Sequence, residues 1–107
     1  MFVLVYITAK NLKEAKNIAE ILVKKRLVAC ANIVPKINSV YYWKGKLCSE
    51  TEALILAKTV EVKAEEIIRE VKKIHSYENP AISFIPIIKG SNEYFEWIKE
   101  MVEVGDE

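Results

Sequence analysis

The amino-acid sequence predicts an α+β fold, a split β-α-β sandwich with an oversized β-hairpin and a short C-terminal helix. Three observations predict it. Apolar runs and helical stripes follow one another in the order β-α-β-β-α-β-α along 107 residues,. Val3 to Thr8 plus a helix is echoed by Leu54 to Thr59 plus a second helix, so each half reads as strand, crossover helix, strand,. Between the halves, Leu27 to Thr59 reads as two arms folded back at Trp43-Lys44-Gly45-Lys46. Arms of roughly 12–15 residues are far longer than the ~5–6 of an ordinary strand. The length sets one domain, residues 1–107, with one core,.

Phe2 to Thr8 is apolar on both faces, as a central strand is,. Asn11 with Glu14 forms a capping box for the first helix, where Leu12, Ala15, Ile18, Ala19 and Leu22 share one stripe,. Lys24, Lys25 and Arg26 suit the negative end of its dipole,. The second strand is expected from Leu27, with an edge position or a bulge at Pro35, resuming from Ile37 to Trp43,. Gly45 supplies the positive φ of a tight turn. The third strand is expected over Leu47 to Thr59, its outer part polar (Ser49, Glu50, Thr51, Glu52) and overhanging the domain. The second helix is expected over Val60 to Ile74, its charged side, including Glu70, facing solvent,. A loop, His75 to Pro80, leads to a fourth strand at Ala81 to Ile88, an edge by virtue of Pro86,. The third helix is expected over Tyr94 to Val102, capped by Ser91 or Asn92, with Tyr94, Phe95, Ile98 and Val102 inward. Gly105-Asp106-Glu107 is expected to fray.

Net charge is +1, which gives no electrostatic case for nucleic acid or an anionic membrane,. No apolar run reaches the ~18 residues that span a bilayer. The N-terminus has neither a basic region nor a small-residue cleavage site, and two cysteines make no disulfide framework, so the expected location is cytoplasmic,. Both main helices on one sheet face would leave the other face bare. That apolar face and the long hairpin predict an oligomer.

Ala29-Cys30-Ala31-Asn32, Tyr41-Tyr42-Trp43-Lys44-Gly45-Lys46, Leu56-Ala57-Lys58-Thr59, His75-Ser76-Tyr77-Glu78-Asn79-Pro80-Ala81 and Tyr94-Phe95-Glu96-Trp97 stand in that order. Together they resemble the CutA family of divalent-cation tolerance proteins over roughly residues 3 to 102. The resemblance implies a ferredoxin-like fold in a PII-like homotrimer, with sheets around the three-fold axis and hairpins reaching to neighbours. It implies copper (Cu2+) or another divalent cation as ligand, no catalytic activity, and an unknown protein partner. Some relatives propose copper ligands at a cysteine and two consecutive histidines. Here those positions are Ile7, Ile74 and His75, so only His75 remains, and Ser76 stands where the family has proline.

Several residues carry alternative readings. His75 follows a helix end and either bonds the last carbonyls or serves as a ligand, with Glu78 assisting. Cys30, among alanines, is either a buried small side chain or a soft metal ligand, and Cys48 is expected near the exposed turn. Tyr41, Tyr42 and Trp43 are subunit-contact anchors or a ligand platform. Lys58, Thr59, Tyr77 and Glu78 could line a cleft between subunits that accepts an anion, Thr59 otherwise capping the second helix.

Two rival functions share the topology but lack their residues here. An acylphosphatase-type hydrolase needs an arginine cradle after the first strand, where this chain has Thr8-Ala9-Lys10-Asn11. An RNA-binding module needs aromatics on its central strands, and Thr51 to Lys58 has none,. A small-ligand sensor related to the PII proteins stays open beside metal tolerance.

Overall fold

A computed structural model describes residues 1–103. The elements are β1 (Phe2–Ala9), α1 (Leu12–Lys24), β2 (Cys30–Trp43), β3 (Lys46–Val60), α2 (Ala64–Ile74), β4 (Ile82–Pro86) and α3 (Asn92–Glu103). A short 3-10 turn, Glu61–Lys63, leads into α2. The sheet is antiparallel throughout, in the order β2-β3-β1-β4. This is the split β-α-β arrangement expected, with β1 inside and β2 and β4 at the edges. The reading of Gly105-Asp106-Glu107 lies outside the described residues.

The main core lies between one sheet face and two helices. Val5, Ile7, Ala53, Ile55 and Ala57 meet Ala15, Ile18 and Leu22 of α1 and Ile67 and Val71 of α2. Each large buried aliphatic side chain here contributes about 1.5–3 kcal/mol. Asn11 Oδ1 accepts from Glu14 N at 2.9 Å, and Glu14 Oε1 accepts from Lys10 N at 2.9 Å. At the other end Arg26 takes φ 60, the left-handed cap,. Leu27 and Val28 still donate to the Leu22 carbonyl, which is why the second strand begins at Cys30 rather than Leu27.

Three other expectations shift. Val60 pairs with Phe2 as the last residue of β3, so it does not begin α2. Glu70 is buried, not solvated: Lys25 Nζ sits 2.6 Å from one of its oxygens and Lys73 Nζ 3.5 Å from the other. The hydrogen bond from Lys25 holds its carboxyl below the usual range. β4 ends at Pro86, short of the expected Ile88, although Ile87 N still donates to the Phe2 carbonyl at 3.0 Å one pair further on.

The opposite sheet face is covered at one end. Ile98 and Val102 of α3 are buried against Ala29, with Phe2 and Val60 packed beside them. Phe95 stacks on Phe2 at 4.3 Å between ring centroids. Ser91 is the cap, its hydroxyl accepting from Tyr94 N at 3.3 Å. Tyr94 stays at the exposed rim. Leu4, Tyr6, Leu54 and Leu56 on this face are only half-buried, and Ile85 is exposed.

The hairpin turns through Lys44 (φ 51) and Gly45 (φ 79), both left-handed, between the paired residues Trp43 and Lys46. Two successive positive φ values match the right-handed strand twist. The register runs from Val34 opposite Leu54 to Ile37 opposite Glu52, so β2 carries one extra residue at Pro35-Lys36. This is the bulge expected there. Pairing of β1 with β3 ends at Ala9 and Ala53, so the hairpin beyond Ala53 has no third strand beside it.

Candidate functional site

Strand periodicity sorts the outer hairpin into two faces. Tyr41 and Trp43 lie on one face with their cross-strand partners Cys48 and Lys46, and with Glu50 and Glu52 two residues apart behind them. Val40, Tyr42 and Leu47 lie on the other, with Tyr42 paired to Leu47. They are 67%, 73% and 65% exposed. The three consecutive aromatics are therefore divided between two roles.

The loop after α2 closes over the first face. His75 is its anchor, with a side chain wholly removed from solvent. Nε2 lies 2.7 Å from the Thr8 carbonyl, which can only accept, so Nε2 donates,. Nδ1 accepts from Tyr77 N at 3.0 Å. Glu14 adds a second tie, Oε2 accepting from Ser76 N at 2.8 Å. Burial raises the Glu14 carboxyl, but donors from Lys10 and Ser76 outweigh it and leave the group below its usual range. Tyr77 is thereby aimed at the hairpin, and its Oη donates to Glu52 Oε2 at 2.6 Å.

Between loop and hairpin lies a cleft of about 450 Å³. Tyr41, Trp43 and Tyr77 give it aromatic walls, Glu50, Glu52 and Glu78 give it carboxylates, and Thr8, Asn79 and Ala81 complete it. Among the described residues no lysine or arginine lines it. The phenols respond to this acidic surrounding. Tyr77 is raised beyond the ordinary tyrosine range by burial and by its bond to Glu52. Tyr41 is raised chiefly by its bond to Glu50.

The structure distributes the other sequence candidates. Cys30 is half-buried, with Sγ 3.5 Å from Tyr94 Oη; that contact and burial push the phenol up to about 12. Cys48 is half-buried, donating to Lys46 O at 3.7 Å. Lys58 binds Asn32 Oδ1 and does not line this cleft within one chain, whose charged walls are Glu50, Glu52 and Glu78. Thr59 does not cap a helix; its hydroxyl donates to Leu27 O at 2.6 Å inside the core. Among the described residues no three His, Cys, Asp or Glu side chains converge to hold a metal ion. Nor are both nitrogens of His75 available, since each already has a partner. A single chain therefore does not supply a fitting ligand set. In sequence Glu50 and Glu52 read only as part of a polar stretch, although their spacing of two matches that of Tyr41 and Trp43.

A split β-α-β domain with an overhanging hairpin and an acidic aromatic cleft defines a ferredoxin-like α+β class. Comparison with known proteins narrows it. The family model for the CutA1 divalent ion tolerance protein matches residues 3–101. The chain belongs to this CutA1 family. It is 46% identical over 99 residues to the divalent-cation tolerance protein CutA of Archaeoglobus fulgidus, covering 92% of this chain and 96% of that protein. It is 36% identical over 98 residues to the human protein CutA, covering 92% of this chain but 55% of that one. The solved Archaeoglobus fulgidus structure, described as a periplasmic divalent cation tolerance protein, superposes with a TM-score of 0.94 at 45% identity, covering 96% of this chain and all of that one. The Thermus thermophilus divalent cation tolerance protein gives 0.91 at 39% identity, covering 94% and 97%.

Proposed function

We propose that this chain is a non-enzymatic divalent-cation tolerance protein that acts as a cytoplasmic homotrimer and binds divalent metal, copper included, through ligands shared between chains. The observation that carries the reading is the outer face of the hairpin. Val40, Tyr42 and Leu47 stand clear of their own domain on an arm that no other strand supports. Apolar side chains displayed this way suit a partner surface. The half-buried Leu4, Tyr6, Leu54 and Leu56 offer a second contact around a three-fold axis. Shared ligands follow from the ligand set that one chain lacks. Among the described residues no helix is long and apolar enough to cross a membrane. Two free cysteines suit a reducing compartment,.

The test is light scattering on the metal-free protein with a copper titration by calorimetry. Three-chain mass, lost in Tyr42→Glu/Leu47→Glu, and copper binding lost with it support the reading. A single-chain mass sinks the trimer. Copper binding absent from every preparation sinks the metal role. A second reading, a PII-like small-ligand sensor or scaffold trimer, is favoured by the cleft beside Tyr77.

A further inference from the structure

We propose that the acidic aromatic cleft binds a small organic ammonium ion, an inference that rests on the small-ligand reading and not on the metal one. Glu52 carries it. The residue is only 7% exposed, yet among the described residues its carboxylate has one hydrogen bond, from Tyr77 to Oε2. Among those residues no cation accompanies it, and its other oxygen is left to the cleft it lines. Buried carboxylates are ordinarily paired with a positive charge. None of the residues lining this cleft supplies that charge.

The walls decide what kind of cation fits. Tyr41, Trp43 and Tyr77 line it, and aromatic rings attract ammonium groups and pack against the carbon atoms attached to them,. The chain already makes one such contact, with Lys44 Nζ 5.7 Å from the Trp43 ring centroid. A hard divalent ion needs several oxygens converging at about 2.0–2.6 Å. The described residues offer no such cluster, and aromatic walls supply no ligands. An anion would face Glu50, Glu52 and Glu78 together. The cleft volume lies within the ~300–1,000 Å³ of small-ligand sites,.

The test uses the full chain in its assembled state. Tetramethylammonium and spermidine are titrated by calorimetry and tryptophan fluorescence at constant ionic strength, with potassium as the control cation. Glu52→Gln is the informative variant, since its amide oxygen still accepts from Tyr77 while the charge is gone. Saturable binding above potassium is expected, weakened at least about tenfold in Glu52→Gln. Trp43→Leu weakens it about threefold to thirtyfold. Assembled mass and copper binding stay unchanged in Glu52→Gln. Absence of saturable binding, or equal affinity in Glu52→Gln, overturns the proposal. So does loss of assembly in that variant, which would mean that a neighbouring chain fills the cleft. Adenosine triphosphate binding there instead would overturn the ammonium assignment and leave the small-ligand reading standing.

Discussion

His75 can be taken apart one nitrogen at a time. His75→Ala removes a fully buried ring and orphans two backbone groups, the Thr8 carbonyl and the Tyr77 N–H. Each buried group left unsatisfied costs about 1–3 kcal/mol, and the cavity adds to it. The expected loss is about 3–5 kcal/mol. His75→Gln places an amide N–H near the position of Nε2 and keeps the bond to Thr8. His75→Asn places an oxygen near Nδ1 and keeps the bond from Tyr77. Each should therefore lose about half as much as alanine. The assay is guanidinium unfolding followed by circular dichroism at one fixed chain concentration, since assembly makes apparent stability depend on concentration. A loss below about 1 kcal/mol in His75→Ala would refute the anchoring role of the buried ring. Gln and Asn variants as damaged as Ala would refute the assignment of donor and acceptor.

Three further outcomes follow from single contacts. Thr59→Val keeps the shape of a fully buried side chain but leaves the Leu27 carbonyl without its donor; unfolding should show a loss of about 1–3 kcal/mol, and no change would contradict that bond,. In Gly90→Ala the new Cβ would stand 2.7 Å from Phe95 Cζ, so the Phe2–Phe95 stack must shift at about 1–3 kcal/mol, a cost that Phe95→Leu should relieve in a double-mutant cycle,. Alkaline titration followed by tyrosinate absorbance should find Tyr94 ionising only near 12, with Tyr41 and Tyr77 also delayed. Because these folded-state values are raised, their stabilisation is fully present below about 10 and is lost as pH climbs through the folded values, so stability falls on the alkaline side. Tyr41, Tyr77 and Tyr94 titrating like free tyrosine in folded protein would contradict those contacts.

The fold was legible because its signals are local. Two-sided apolar β1, the stripes of α1 and α2, Pro35 and Gly45 each state their geometry through periodicity or backbone constraint. The missed boundaries lie where a long-range bond decides. Leu27 looks like strand, but its N–H closes α1, and Val60 looks like helix, but Phe2 pairs with it. The site was less legible. Glu70 and Glu52 read as surface charge, and only tertiary contact with Lys25 and Tyr77 gives them buried roles. His75 was visible, but its partner is a carbonyl on a strand 67 residues away, which no local pattern encodes.

The overhang beyond Ala53 divides the chain into two regions of different protection. Amides near the Ala9–Ala53 pair lie in a multi-strand sheet over the main core and exchange with solvent only when that core opens,. Amides of Tyr42 and Leu47 are held by a two-stranded ribbon alone, and such ribbons are marginal in water,. In a lone chain they exchange by local opening that leaves the core intact. A neighbour seated on Val40, Tyr42 and Leu47 would slow those amides and few others. Exchange at the hairpin tip, followed against dilution, thus reads the association equilibrium residue by residue, with the amides of β1 as the internal clock.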